Sequence, residues 1–205
     1  MLPLQRLTIE IMLLFFQFLF VFFGLILVPI LWYKVVNQLS LKEIFAKVQL
    51  RREGLDMALL WGVITVIAAF GVTLTLGLAY MYLTKIDPET LSNITDLQQL
   101  FSVPSLYLLV AIQPFCEEFF FRGFLFEKIQ KTAGIPLAVL LTSVLFGVSH
   151  LSYTYAYAAV TAVLLGVLFS LVVIKTKNLY AAIFAHTLIN IASLTLYFTG
   201  KSFGI

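Results

Sequence analysis

Glu117, Glu118 and Arg122 sit inside PFCEEFFFRGFLF, residues 114–126, a stretch whose other members are Phe, Leu, Gly, Pro and Cys. An ionisable side chain at the centre of a membrane helix costs about 2.5–3.5 kcal/mol on insertion scales and usually marks function. Glu118 and Arg122 are four apart, so on a helix they share a face and can pair. The plain role for that pair is a structural ion pair holding two helices together. Glu117 lies about 100° further round the helix, from 3.6 residues per turn, and the pair does not account for it. A second carboxylate beside the first is how a general acid or base is tuned.

The chain has two histidines, His150 and His186, and both fall in apolar segments. His186 and Asn190 are one helical turn apart and share a face. Taken singly, each of these residues reads as interhelical hydrogen bonding. Phe146 precedes His150 by one turn and is expected to pack beside it in the bundle core. Together, a carboxylate, two imidazoles and an amide converging in a bundle form a catalytic or metal-binding constellation. The single cysteine, Cys116, adjoins the carboxylates, which disfavours a thiolate; it reads as buried and inert. Glu10 and Gln17 lie in the outer half of the first apolar run. Glu10 can snorkel to the interface, and neither is assigned a function.

The elements that must position these residues are membrane helices. The 205 residues are 61% hydrophobic and 11% charged, with 20 Phe, too few charges to cover a soluble domain. One cysteine excludes an internal disulfide and a cysteine-based structural zinc site. The net charge of +3 is no sign of nucleic-acid binding, because the basic residues follow topology. A span needs about 20 apolar residues, and six segments qualify: roughly 9–33, 57–84, 104–127, 136–152, 156–174 and 179–198. The first is too long for a signal-peptide core and lacks a small-residue cleavage site, so it is read as a retained span. The expected fold is all-α, a single membrane domain over 1–205. Residues 1–100 supply two spans and a basic connection.

Lysine and arginine orient the bundle. Lys34, Lys42, Lys47, Arg51, Arg52, Lys128, Lys131, Lys175 and Lys177 fall on one set of connections; Arg6, Lys85 and Lys201 fall on the other. The first set is therefore cytosolic and both termini lie outside. The long outer loop is acidic, with Asp87, Glu89 and Asp96. In the first connection Ser40 and Glu43 match a capping box. Leu41, Ile44, Phe45 and Val48 then share a face, which predicts a short interfacial helix. Asn93-Ile94-Thr95 matches a glycosylation acceptor but reads as a chance match. Helical rise of about 1.5 Å per residue puts Glu117 about 15 Å, His186 about 10 Å and His150 about 20 Å from the cytosolic ends of their spans.

Glu117-Glu118-x-x-x-Arg122, Phe146-x-x-x-His150 and His186-x-x-x-Asn190, in that order, resemble the three motifs of the CAAX-protease and bacteriocin-processing (CPBP, or Abi) family of intramembrane proteases. The Ras-converting CAAX endopeptidase belongs to that family. The resemblance covers about residues 104–199, the expected catalytic core. It implies an all-helical membrane protease with an active site inside the bundle, open toward the cytosolic side. Under it Glu117 is the general base for the attacking water and His150 assists that water. His186 and Asn190 hold the oxyanion, and Arg122 pairs with Glu118 to orient the helix. The substrate it implies is a lipidated or membrane-inserted peptide, with prenylated CAAX proteins the family precedent. The chain is shorter than the eukaryotic members, which leaves CAAX specificity open.

Glu117, His150 and His186 could also bind Zn²⁺, which commonly takes three protein ligands and a water at catalytic sites. With Glu117 as a ligand, the remaining base would be Glu118, which Arg122 occupies. The metal-free reading, with no cofactor, is preferred. The expected partners are membrane lipid and a membrane-associated peptide or protein substrate, not nucleic acid. Two other functions fit the composition: a non-proteolytic bacteriocin-immunity or membrane regulatory protein binding a partner in the same cavity, and a small proton-coupled transporter. The full set of polar residues speaks against the first, and the lack of an inverted repeat against the second.

Overall fold

A computed structural model of the chain describes residues 3–85, 94–151 and 156–203. Asp87, Glu89, Asn93 of the sequon and most of the short connection expected at 151–155 lie outside the described residues. The described residues form helices and no strand.

The first helix, α1, covers residues 3–35. Pro3–Val21 and Val28–Val35 are α-helical and are joined by a π-helical segment, Phe22–Leu27. Leu41–Lys47 is α2, Leu55–Thr84 is α3 and Ile94–Leu100 is α4. Helix α5 covers residues 103–133, with a second π-helical segment at Phe119–Leu125. Residues 135–148 form α6, Ala156–Thr176 forms α7 and Tyr180–Phe203 forms α8.

Five helical stretches among the described residues are long and apolar enough to cross a membrane, and the longest is Val103–Val148. Within it Gly134 has φ 81° and ψ 170°, a conformation that favours glycine. Pro136 follows, suited to the first turn of a new helix. The chain reverses there: the rings of Phe121 and Phe146 are 5.3 Å apart, which a straight helix could not allow. The third and fourth expected passes are thus one stretch, folded back at a one-glycine break. At about 1.5 Å per residue α6 is only about 21 Å long, short of a hydrocarbon core of about 30 Å.

Small residues bring the helices close. Ala58, Gly62, Thr65, Val66 and Ala69 recur on one face of α3 and are buried. They meet α8, where Ala181, Ala182 and Ala185 are fully buried. In lipid such faces pack by van der Waals fit rather than by a hydrophobic driving force. A Cβ at Gly147 of α6 would lie 2.7 Å from the Ala159 carbonyl oxygen of α7, so only glycine fits this crossing. Large apolar side chains such as Phe20, Ile67 and Leu83 project outward, where a bilayer would solvate them.

The capping box of α2 is formed. The Ser40 N–H donates to Glu43 Oε2 at 2.8 Å, and the Glu43 N–H donates to Ser40 Oγ at 3.4 Å. The expected apolar face is divided. Ile44 and Val48 are buried against Tyr33, Cys116 and Phe119, while Leu41 and Phe45 stay exposed. The helix thus docks onto the bundle with half of that face. Asn178, in the α7–α8 turn, ties down the rest of this connection by donating from Nδ2 to the carbonyls of Arg51 and Glu53.

Candidate active site

The second π segment carries Arg122 into the middle of the bundle. Its Nη1 donates to Glu118 Oε1 at 2.9 Å, and both side chains are shielded from solvent. The guanidinium carbon lies 4.4 Å from the centre of the Phe146 ring, with Phe121 and Phe169 beside it. These aromatic faces replace part of the hydration that the cation has lost.

Glu118 also accepts a hydrogen bond from His186 Nδ1 at 2.9 Å. The imidazole is stacked on Phe169 and met edge-on by Phe146, so its plane is fixed. Its other nitrogen, Nε2, is 3.8 Å from Glu117 Oε2. One water can reach both atoms at ordinary hydrogen-bond length, about 2.8 Å to each. The opposite oxygen of Glu117 accepts from Gln113 Nε2 at 2.6 Å. Glu117 is thus held from one turn back on its own helix and faced by α8.

His150 Nδ1 lies 2.8 Å from the Phe146 carbonyl oxygen, and the two rings are 4.5 Å apart. A carbonyl only accepts, so the Nδ1 proton is fixed there and Nε2 is left to the cavity. Phe146 therefore does more than pack: it holds His150 through its carbonyl and touches His186 and Arg122 with its ring.

A cavity of about 430 Å³ is lined by Glu117, Gln113, His150 and Asn190, with Gln17 of α1 and apolar residues of α4 and α5. His186 is directed at the two glutamates and does not line it. Asn190 faces the cavity and has no hydrogen bond to another described residue. Cys116 is buried.

Sequence reasoning assigned nothing to three residues that the fold employs. Gln113 and Gln17 are polar residues in spans, and that was their signal; the four-residue spacing of Gln113 and Glu117 could have shown their contact, while the place of Gln17 on the cavity wall is visible only in three dimensions. Glu10 does not snorkel. It is buried, and Ser102 donates to its Oε1 from N–H at 2.7 Å and from Oγ at 2.6 Å. It caps the helix that carries Glu117 from across the bundle.

His186 Nδ1 is engaged by Glu118 and His150 Nδ1 by a carbonyl, which leaves the two Nε2 atoms as the nitrogens available to a ligand. Among the described residues no three His, Cys, Asp or Glu side chains are grouped to hold a metal ion.

Comparison with known proteins agrees with the motifs. The family model described as type II CAAX prenyl endopeptidase Rce1-like matches residues 99–192. The chain is 28% identical over 149 residues to the Bacillus subtilis (strain 168) protein "Putative membrane peptidase YdiL", covering 68% of this chain. The matched part is 57% of the relative's length. No solved structure matches the chain. Over residues 99–192 the chain is thus similar to Rce1-like membrane peptidases, the resemblance that its motifs carry.

Proposed function

We propose that this protein is an intramembrane endopeptidase that hydrolyses a peptide bond of a membrane-associated substrate with a glutamate-activated water. The observation that carries the proposal is Glu117. Its carboxylate is held by Gln113 at 2.6 Å, faces His186 Nε2 at 3.8 Å, and opens on the cavity shared by His150 and Asn190.

Water bound between Glu117 and His186 gives a proton to Glu117 while its oxygen attacks the scissile carbonyl carbon. The Asn190 amide donates to the resulting oxyanion, and low dielectric strengthens that contact. The C–N bond then breaks, and the proton carried by Glu117 passes to the leaving amine. His150 lines the same cavity beside Glu117. Arg122, Glu118 and Phe146 touch no substrate. They orient His186 and His150. No metal is assigned a step, since the residues do not form a ligand set.

A prenylated CAAX-type peptide is the substrate that the family suggests, and it would arrive from the cytosolic leaflet. An apolar peptide without a lipid suits the leucine-rich lining equally. The test is cleavage of both by the purified protein in lipid, with Glu117→Gln alongside. A positioned base commonly contributes 10²–10⁴-fold, so the variant should lose about 10³-fold in rate while staying folded. Chelators should leave wild-type cleavage unchanged. Equal cleavage by wild type and variant would overturn the assignment of Glu117.

A further inference from the structure

The two ends of the bundle differ around the site. Between Glu117 and the lysine-rich connections the interior is solid. Phe119, Phe121, Phe146, Phe169, Val172 and Leu179 are buried there, around the fully shielded Glu118–Arg122 pair. That end is also closed outside, where Val48 of the docked connection packs against Phe119. No residue of the connections at 36–54, 126–134 or 175–180 lines the cavity.

Toward the other end the interior holds the cavity, between the buried side chains of Phe101, Leu106, Leu109 and Leu194. The cavity runs from Glu117 past Gln113, Leu109 and Leu106 to Phe101, and then to Leu97 and Ile94 of α4. Along α5 these positions step regularly toward its N-terminal end, the end that follows the acidic loop. On α8 the lining residues are Asn190, Ser193 and Leu194, on the C-terminal side of His186. The short helix α6 ends beside this space, where His150 lines it. Nine Lys and Arg lie on connections at the closed end and three at the open end. That bias puts the closed end in the cytosol.

We infer that the catalytic cavity opens on the extracytoplasmic side, and that its substrate is an apolar peptide segment entering from the outer leaflet. The substrate part rests on the protease reading above; the access part does not. The wall chemistry fits an extended apolar peptide. Leu, Phe, Ile and Val side chains are seven of the thirteen lining residues, and Gln17, Gln113, Asn190 and Ser193 are spaced among them to meet peptide groups. No lysine or arginine lines the cavity, so a substrate carboxylate has no cationic side chain to meet there.

The test uses single cysteines in a Cys116→Ala background in intact cells, with a membrane-impermeant maleimide. Leu97→Cys and Ser193→Cys report the cavity, Lys85→Cys the lysine-poor end, and Lys42→Cys and Lys177→Cys the lysine-rich end. The expected result is external labelling of positions 85, 97 and 193, and labelling of 42 and 177 only after permeabilisation. The Lys85→Cys and Lys42→Cys patterns show that the background variant has inserted correctly. Cavity positions labelled only after permeabilisation, or in neither condition, would overturn the inference. In proteoliposomes, external reagent on Ser193→Cys should also stop cleavage of an outer-leaflet peptide. Expected labelling with no cleavage of any peptide would leave the access route standing and remove the protease reading. Labelling only from inside, with cleavage intact, would do the reverse.

Discussion

Glu118 Oε1 accepts from both Arg122 Nη1 and His186 Nδ1, each at 2.9 Å, away from all solvent. The carboxylate that looked like a plain partner for arginine is therefore also the anchor of the second histidine. Removing one member of a buried pair strands a charge and typically costs about 3–5 kcal/mol. Arg122→Ala should lose stability of that order, read by thermal or denaturant unfolding in detergent. The double variant Glu118→Gln/Arg122→Met removes both charges and leaves His186 an amide oxygen to bond. It should unfold closer to wild type than Arg122→Ala does. A double variant as unstable as the single one would mean that shape, not charge, sets the cost. At this scale the motif residues and the Glu118–Arg122 pairing were legible, because a four-residue spacing fixes a common helical face. The contact of His186 with Glu118 was not, because it depends on how α8 is rotated against α5.

Helix ends show the same division between local and distant causes. The box that starts α2 is written in four consecutive residues and forms as read. Hydrogen bonds from Ser40 hold the exposed Glu43 carboxyl below its ordinary value. The cap therefore contributes fully above the ordinary glutamate range and is lost as pH falls through the lowered value. Amide protection at Ser40 and Glu43, measured against the intrinsic exchange rate at each pH, should fall in acid over that window, and in Glu43→Ala it should be low at every pH. The cap on α5 comes instead from Glu10, distant in sequence. Loss of a cap costs about 0.5–2 kcal/mol, and Glu10→Ala should show it as faster exchange over the first turn after Ser102. Unchanged exchange there would mean that the Glu10 contact contributes nothing to holding α5. The break between α5 and α6 was legible as the gap between the segments at 104–127 and 136–152, but its form at Gly134 and the closeness of the fold-back appear only in the structure.

For the whole molecule, charge and greasiness act on different questions. The lysine bias sets which end of the bundle faces the cytosol, and reporter fusions test it directly. A reporter active only outside the cytosol should work after residue 203 and fail after residue 50; the opposite pattern would invert the bundle. Where the interior is solid and where it is open is a separate matter, decided by packing. The resemblance implied a site open to the cytosolic side, and the cavity runs along the residues of the other end.

Composition and spacing by themselves determined that the chain is a bundle of membrane helices, which residues are candidates for chemistry, and which connections carry the excess of lysine and arginine. Each of these depends on neighbours along the chain or on summed transfer into lipid, so a linear sequence contains it. Only the tertiary structure decided that Glu118 joins Arg122 to His186, that His186 faces Glu117, that Glu10 caps α5, and toward which end of the bundle the cavity extends. Those follow from the rotation, depth and shortness of helices packed against one another. Contacts between residues up to 92 positions apart, such as Glu10 and Ser102, set them, and no local pattern encodes such contacts.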